Sequence, residues 1–282
     1  MNQSQCYQES VCFARLYSEL IRLAYDNGHL IYITTITWLF RIDVTEEISL
    51  SSFFNNFNVK HVIVETKNHQ EEQFMNQITL KFTTISSKSI KIFKNGHVQI
   101  TGLSSYFECI NVSALILEWM NKFVPIKDRN NDNGQRIYEM KKNSQRIAMI
   151  NLSVNTFPKH LMDMKHLSSL IKQNKEVTRC TYNPESHRGL NIKFTSGVSM
   201  FIFHTGNIIM SSNSLGDLKK EYISVYEHFI QKNTDSHHTD STKSLIHKKQ
   251  IEHSCHGYDM KDLMACLVLS STDTDSPASL NI

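Results

Sequence analysis

Two phenylalanines, Phe93 and Phe203, sit 110 positions apart at matched places, each three residues ahead of a glycine, Gly96 and Gly206. Ile92 and Ile202 precede them in the same register, so a unit of strand, tight turn and strand occurs twice. Side chains alternate across a strand. Over 89–101 this puts Ile90, Ile92, Val98 and Ile100 on one face and Lys91, Phe93, Gln99 and Thr101 on the other. Over 199–211 it puts Met200, Ile202, Ile208 and Met210 on one face and Phe201, Phe203, Ile209 and Ser211 on the other. If the first set of each is core, the second is an open face, and an open apolar face marks an interaction surface. A strand buried on both sides gives a similar pattern in the second copy. The first copy argues otherwise, because an aromatic ring among Lys, Gln and Thr is not a core pattern. It suits a surface that meets the phosphates and base edges of a nucleic acid.

No catalytic constellation accompanies these residues. The chain has no Gly-rich phosphate loop, no GxSxG and no HExxH. His253, Cys255 and His256 have a spacing that suits a metal ligand set, but no second Cys/His pair stands at a matching distance. A non-enzymatic protein without metal or cofactor is expected. The six cysteines form no CxxC pair, and no apolar run is long enough to cross a bilayer, so reduced thiols inside a cell are expected. The net charge of +3 does not by itself announce a nucleic-acid binder, but residues 29–232 hold 24 Lys and Arg against 17 Asp and Glu. That local excess fits phosphate contact.

The elements that must position the two phenylalanines follow from periodicity. Residues 1–28 read as a helix added ahead of the repeat, stopped by Asn27-Gly28. The first half, 29–124, reads as a strand at 30–41, a short helix at 46–56, strands at 59–66 and 74–83, the hairpin 89–101 and a helix at 107–123. A polar connection spans 125–145. The second half, 146–232, repeats the order: a strand near 147–154, a helix at about 161–172, strands near 176–182 and 190–195, the hairpin 199–211 and a helix at 218–231. Residues 233–282 are low in apolar content and read as a mostly disordered tail with a brief helix at 258–269. The expected class is α+β, with two similar units joined edge to edge in one curved antiparallel sheet and the helices on one face.

Three segments carry a resemblance. Tyr182-Asn183-Pro184-Glu185-Ser186-His187-Arg188-Gly189-Leu190 resembles the Tyr-x-Pro-Glu-x-Phe-Pro-Gly-Leu segment of the TATA-box-binding protein family. Ile202-Phe203-His204-Thr205-Gly206-Asn207-Ile208-Ile209 resembles its Ile-Phe-x-Ser-Gly-Lys-x-Val hairpin, and Ile150-Asn151-Leu152 its Gln-Asn-hydrophobic strand. The resemblance covers 29–232 and is most like the diverged versions carried by large double-stranded DNA viruses. It implies a saddle of two pseudo-symmetric repeats. The underside lies in a widened minor groove, and inserted phenylalanines kink the duplex.

By position, the resemblance makes Phe93 and Phe203 the hairpin wedges. The earlier wedge of the first half becomes Phe74, with a one-residue slip to Met75 left open; that of the second half becomes His187, a departure from Phe. The minor-groove Asn becomes Asn151, and Thr34 or Thr35 in the first half, a second departure. Base-edge contacts fall on Gln99, Thr101, Phe201, Ile209 and Ser211, and phosphate contacts on Lys81, Lys91 and Lys193. The lysines also fit an ordinary solvated face, and Asn151 also fits a local backbone partner. The implied partners are double-stranded DNA with an AT-rich promoter sequence, and transcription factors or RNA polymerase through the convex helices. A monomer is expected, with no membrane contact, in the host nucleus, in a cytoplasmic viral factory or packaged in the virion. The losses at His187 and Thr35 favour a rival expectation, a protein-interaction module of the same fold that has lost DNA binding.

Overall fold

A computed structural model describes residues 3–66, 76–83, 88–124, 138–156, 163–185, 187–227 and 244–250. Phe74, the His253/Cys255/His256 group and the helix expected at 258–269 lie outside the described residues.

Period-two segments become strands and period-3.6 segments become helices. After α1 (Gln3–Asp26) come β1 (His29–Arg41), α2 (Leu50–Asn56), β2 (Val62–Thr66), β3 (Gln77–Phe82), β4 (Ser89–Phe93), β5 (His97–Leu103) and α3 (Tyr106–Phe123). The order then recurs as β6 (Arg146–Thr156), α4 (Met164–Ile171), β7 (Val177–Asn183), β8 (His187–Phe194), β9 (Ser199–Phe203), β10 (Ile208–Ser212) and α5 (Leu215–Val225). The class is α+β.

The chain divides into two compact units. The carboxy-half unit comprises Met1–Thr37, Ser104–Phe107 and Ile147–Gly257; the amino-half unit comprises Trp38–Leu103 and Glu108–Arg146 among the described residues. Strand order in the amino-half unit is β2-β3-β4-β5-β1, and in the carboxy-half unit β1-β6-β10-β9-β8-β7. The ladders β2–β3, β3–β4, β4–β5, β6–β10, β9–β10, β8–β9 and β7–β8 are antiparallel. β1 is common to both orders, with His29–Thr37 in one unit and Trp38–Arg41 in the other.

In the amino-half unit α3 covers one face of the strands. The Trp119 ring stacks on Phe82 at 6.0 Å and meets Phe57 edge-on at 5.3 Å. Trp38 Nε1 donates to Ser113 Oγ at 3.0 Å, which satisfies its one polar atom inside the core. Ile78, Leu80, Ile90, Ile92, Val98 and Ile100 are buried from the strands. A buried ion pair also lies here: Lys88 Nζ stands 2.8 Å from Glu108 Oε1, with the two side chains 4% and 7% exposed.

The hairpin turn uses its glycine for conformation. Gly96 N donates to Phe93 O at 3.0 Å with φ +81°, and Gly206 N donates to Phe203 O at 2.9 Å with φ +82°. Each is a three-residue loop closed by a left-handed residue, the position that favours glycine. Gly96 is also pressed against β1's end, since a Cβ there would stand 2.7 Å from Ile42 O. Gly197 has φ +89° but open space around it. Gly96→Ala is therefore expected to cost about 2–3 kcal/mol, strain plus clash, and Gly197→Ala about 1 kcal/mol, strain alone. Paired urea-unfolding curves of the two variants check the difference.

In the carboxy-half unit α5 lies over β10, and His29 Nδ1 is 2.7 Å from Tyr222 Oη in the buried layer. α1, expected as an addition, is tied in throughout. Glu19 pairs with Lys219 of α5 at 2.6 Å, Tyr17 Oη accepts from Ile33 N at 3.1 Å, Phe13 meets Tyr106 at 5.8 Å, and Tyr106 Oη donates to Glu9. Two further segments are docked in part. Residues 244–250, within the stretch expected to be mostly disordered, are helical, with Ile246 fully buried and Gln250 Nε2 donating to Ile31 O at 2.9 Å. Ile246 supplies an apolar anchor in an otherwise polar stretch, while Leu245 is exposed. Part of the connection 125–145 is also docked. Asp43 N donates to Glu139 O and Lys141 N to Arg41 O, both at 2.8 Å.

Candidate nucleic-acid interface

Antiparallel register assembles the faces opposite the cores into cross-strand rows, because directly paired residues share a face. In the carboxy-half unit one row runs Thr181, Asn191, Phe201, Ile209, Ser153. A second runs Arg179, Lys193, Ser199, Ser211, Asn151. Phe203 stands opposite Gly189, which offers no side chain on that side. Met200, Ile202, Ile208 and Met210 are buried beneath, while Phe201, Phe203 and Ser211 are half-buried and Ile209 is 41% exposed. The strands thus bury one face and leave an apolar second face open.

Polar groups of this face are organised around Asn151. Its Oδ1 accepts from Ser211 Oγ at 2.6 Å, and its backbone O accepts from Thr34 Oγ1 at 3.2 Å. The amide nitrogen of Asn151 has no partner among the described residues, so its two N–H donors are unengaged there. Thr34 is exposed and Thr35 half-buried, so of the two alternatives it is Thr34 that joins Asn151. Lys193 is exposed and spends its ammonium on its own hairpin, donating to Gly197 O and Ser199 Oγ at 3.0 Å each. His187 opens β8, paired with Asn183.

In the amino-half unit the matching rows differ in chemistry. One runs Glu65, Thr79, Lys91, Gln99, and the other Ile63, Lys81, Ser89, Thr101, with Phe93 opposite Gln77. Phe93, Lys91, Gln99 and Thr101 are all half-buried over a core of Ile90, Ile92, Val98 and Ile100. Lys81 Nζ is held 2.7 Å from Glu65 Oε2, which partly neutralises it. The side chains of Lys91 and Gln99 make no hydrogen bond or ion pair among the described residues.

Register also finds what periodicity did not. Arg179 is exposed on the outermost strand, directly beside Lys193, and has no ion pair among the described residues. The signal was in the sequence, as the exposed phase of Val177–Asn183, but only the β7–β8 pairing joins it to Lys193. The pairs Lys81–Ser89 and Lys193–Ser199, with Gln77–Phe93 and Gly189–Phe203, align β3 with β8 at an offset of 112 residues. At that offset the sequence position matching His187 is Met75.

Among the described residues no three His, Cys, Asp or Glu side chains gather as a metal site. Burial pushes the Cys109 thiol far up, and burial raises that of Cys180 despite Ser168 and Lys172, so both sit away from the thiolate form that attacks or ligates. No helix of the described residues is long and apolar enough to cross a membrane.

Two pseudo-symmetric strand–helix repeats with open antiparallel faces define the class. In sequence the chain is similar to a "TATA-box-binding protein-like" protein of Acanthamoeba polyphaga mimivirus, 27% identical over 195 residues. That match takes in 59% of this chain and 51% of the relative, so the chain spans about half the length of the curated protein it matches. Among solved structures, Methanococcus jannaschii TBP aligns over 72% of this chain and 99% of its own, at 16% identity and a TM-score of 0.49. No family model matches the chain.

Proposed function

We propose that the chain is a TATA-box-binding-protein-like transcription initiation factor that binds AT-rich promoter DNA in the minor groove. The observation that carries this is the pair of hairpin phenylalanines, each at the same place beside its turn and each on the face opposite the core. In this reading Phe93 and Phe203 wedge between base steps and bend the duplex, with Met75 or Phe74 and His187 as weaker second wedges. Asn151, Thr34 or Thr35, Gln99, Thr101, Phe201, Ile209 and Ser211 meet base edges; Lys81, Lys91, Lys193 and Arg179 meet phosphates. The helices on the other side present surfaces to transcription factors or polymerase, in a host nucleus or viral factory. Similarity to the mimivirus protein supports the reading.

A second reading has one observation in its favour. Lys81 is engaged by Glu65, and Lys193 by its own hairpin, which suits an interaction module of this fold with weakened DNA binding. Titration of AT-rich and GC-rich duplexes at rising salt separates the two. The first reading gives saturable binding that favours the AT-rich duplex, with a log–log salt slope of about −3 to −4 for four phosphate contacts. Absence of duplex binding at low salt leaves only the second.

A further inference from the structure

Two positions stand in for each other across the repeat and carry opposite chemistry. Gln99 in β5 and Ile209 in β10 occupy the same register, each directly opposite the central residue of the preceding strand, Lys91 for Gln99 and Phe201 for Ile209. Both lie on the face away from the core. Gln99 carries an amide with one acceptor and two donors, and none of these is engaged among the described residues. Ile209 has nothing but hydrocarbon, in a row with Phe201.

In the minor groove an A·T pair in either orientation presents only acceptors, whereas a G·C pair adds the N2 amine of guanine, a donor. A wall of Ile209 and Phe201 pressed on that amine strips its water and returns no acceptor, and an unmet buried donor is costly. The Gln99 carbonyl can accept from the amine, and the same side chain, turned over, donates to A N3 or T O2. Lys91 beside it adds a further donor and no obstacle, since it is flexible at its tip.

We infer that Gln99 is a specificity-determining residue, and that the amino-half face accepts a G·C pair at the position it touches while the carboxy-half face demands A·T. This rests on the minor-groove reading above. In a duplex that engages both faces, one block of positions is then AT-only and the other mixed.

The test is a scan of an AT-only duplex with one G·C pair introduced at each position in turn, binding measured by fluorescence anisotropy with the full chain. Wild type is expected to lose less than about threefold at one block of positions and about tenfold or more at the other. Gln99→Val should make the tolerant block intolerant, and Ile209→Gln should relax the other. Circular dichroism and thermal melts of both variants confirm folding, and because the two changes act in opposite directions, a folding defect in one cannot mimic the pair of results. Uniform intolerance in wild type, or a lopsided profile that Gln99→Val leaves untouched, overturns the inference while the AT-rich binding itself stands. No binding to the AT-only duplex overturns the minor-groove reading and this inference with it.

Discussion

Phe203→Ala is expected to weaken binding to an AT-rich duplex by about 10- to 100-fold, the scale of losing one aromatic–base stack, while leaving the thermal midpoint within a few degrees of wild type. The separation follows from where the ring sits. Phe203 is half-buried on the face away from Ile202 and Met200, so its removal opens no cavity in the core. Its cross-strand partner is Gly189, which carries no side chain, and Phe201 and Ile209 on the same face form an apolar surround suited to an inserted, dehydrated base step. Phe93→Ala should cost less, several-fold, because Phe93 faces Gln77 and stands among Lys91 and Gln99, whose polar groups continue to hold the duplex. Equal losses from both variants would contradict the asymmetry of the two faces. A large loss of stability in Phe203→Ala would show the ring to be core.

The other large effect lies in the core of the amino-half unit. Lys88→Met leaves the Glu108 carboxylate buried without its ammonium partner, at 7% exposure. Breaking such a pair from one side costs about 3–5 kcal/mol, since an uncompensated buried charge remains, and in a protein of this size that lowers the midpoint by on the order of 10 °C. Glu108→Leu alone should be comparably damaging. The double variant Lys88→Met/Glu108→Leu should regain most of the loss, because replacing both charges by apolar groups of similar volume is close to neutral. Urea unfolding of the four proteins in a double-mutant cycle measures this; if the double variant is as unstable as the sum of the singles, the pair is not coupled as its geometry requires.

Much of the architecture was legible because period-two alternation is a strong local signal. Ile90 and Ile92 against Lys91 and Phe93, and Met200 and Ile202 against Phe201 and Phe203, separate core from open face before any partner is known. The glycines at the turns were legible for the same local reason. What escaped depends on register or on distance along the chain. Glu65 and Lys81 are sixteen residues apart, and nothing in the sequence says that their strands pair in the phase that joins them. Arg179 reads as one more exposed strand residue until β8 is laid beside it. Thr34 and Thr35 could not be separated, because β1 breaks its alternation there, exposed Thr34 preceding the buried run Ile36, Thr37, Trp38. The docking of α1, which reads as an addition, was hidden because its anchors, Glu9, Phe13, Tyr17 and Glu19, find partners 16 to 200 residues away. The docking of 244–250 rests on one buried isoleucine and one amide, too little to register against a polar background.

The division of β1 between the two units sets an order in time. Trp38–Leu103 and Glu108–Arg146 leave the ribosome nearly without interruption, so the amino-half unit can close while the rest is still being made. The carboxy-half unit cannot, since Thr37, the last residue of its first segment, emerges 110 residues ahead of Ile147, where its main segment begins. At translation speeds of about 5–20 residues per second that is a wait of roughly 5–20 s. Throughout it, α1 has no α5 to lie on and β1 has no β6 beside it. The nascent chain therefore passes through a half-built state with a bare strand edge, the kind of surface that invites pairing with the wrong chain. Synthesis of β6, and then of β10 beside it, ends that exposure.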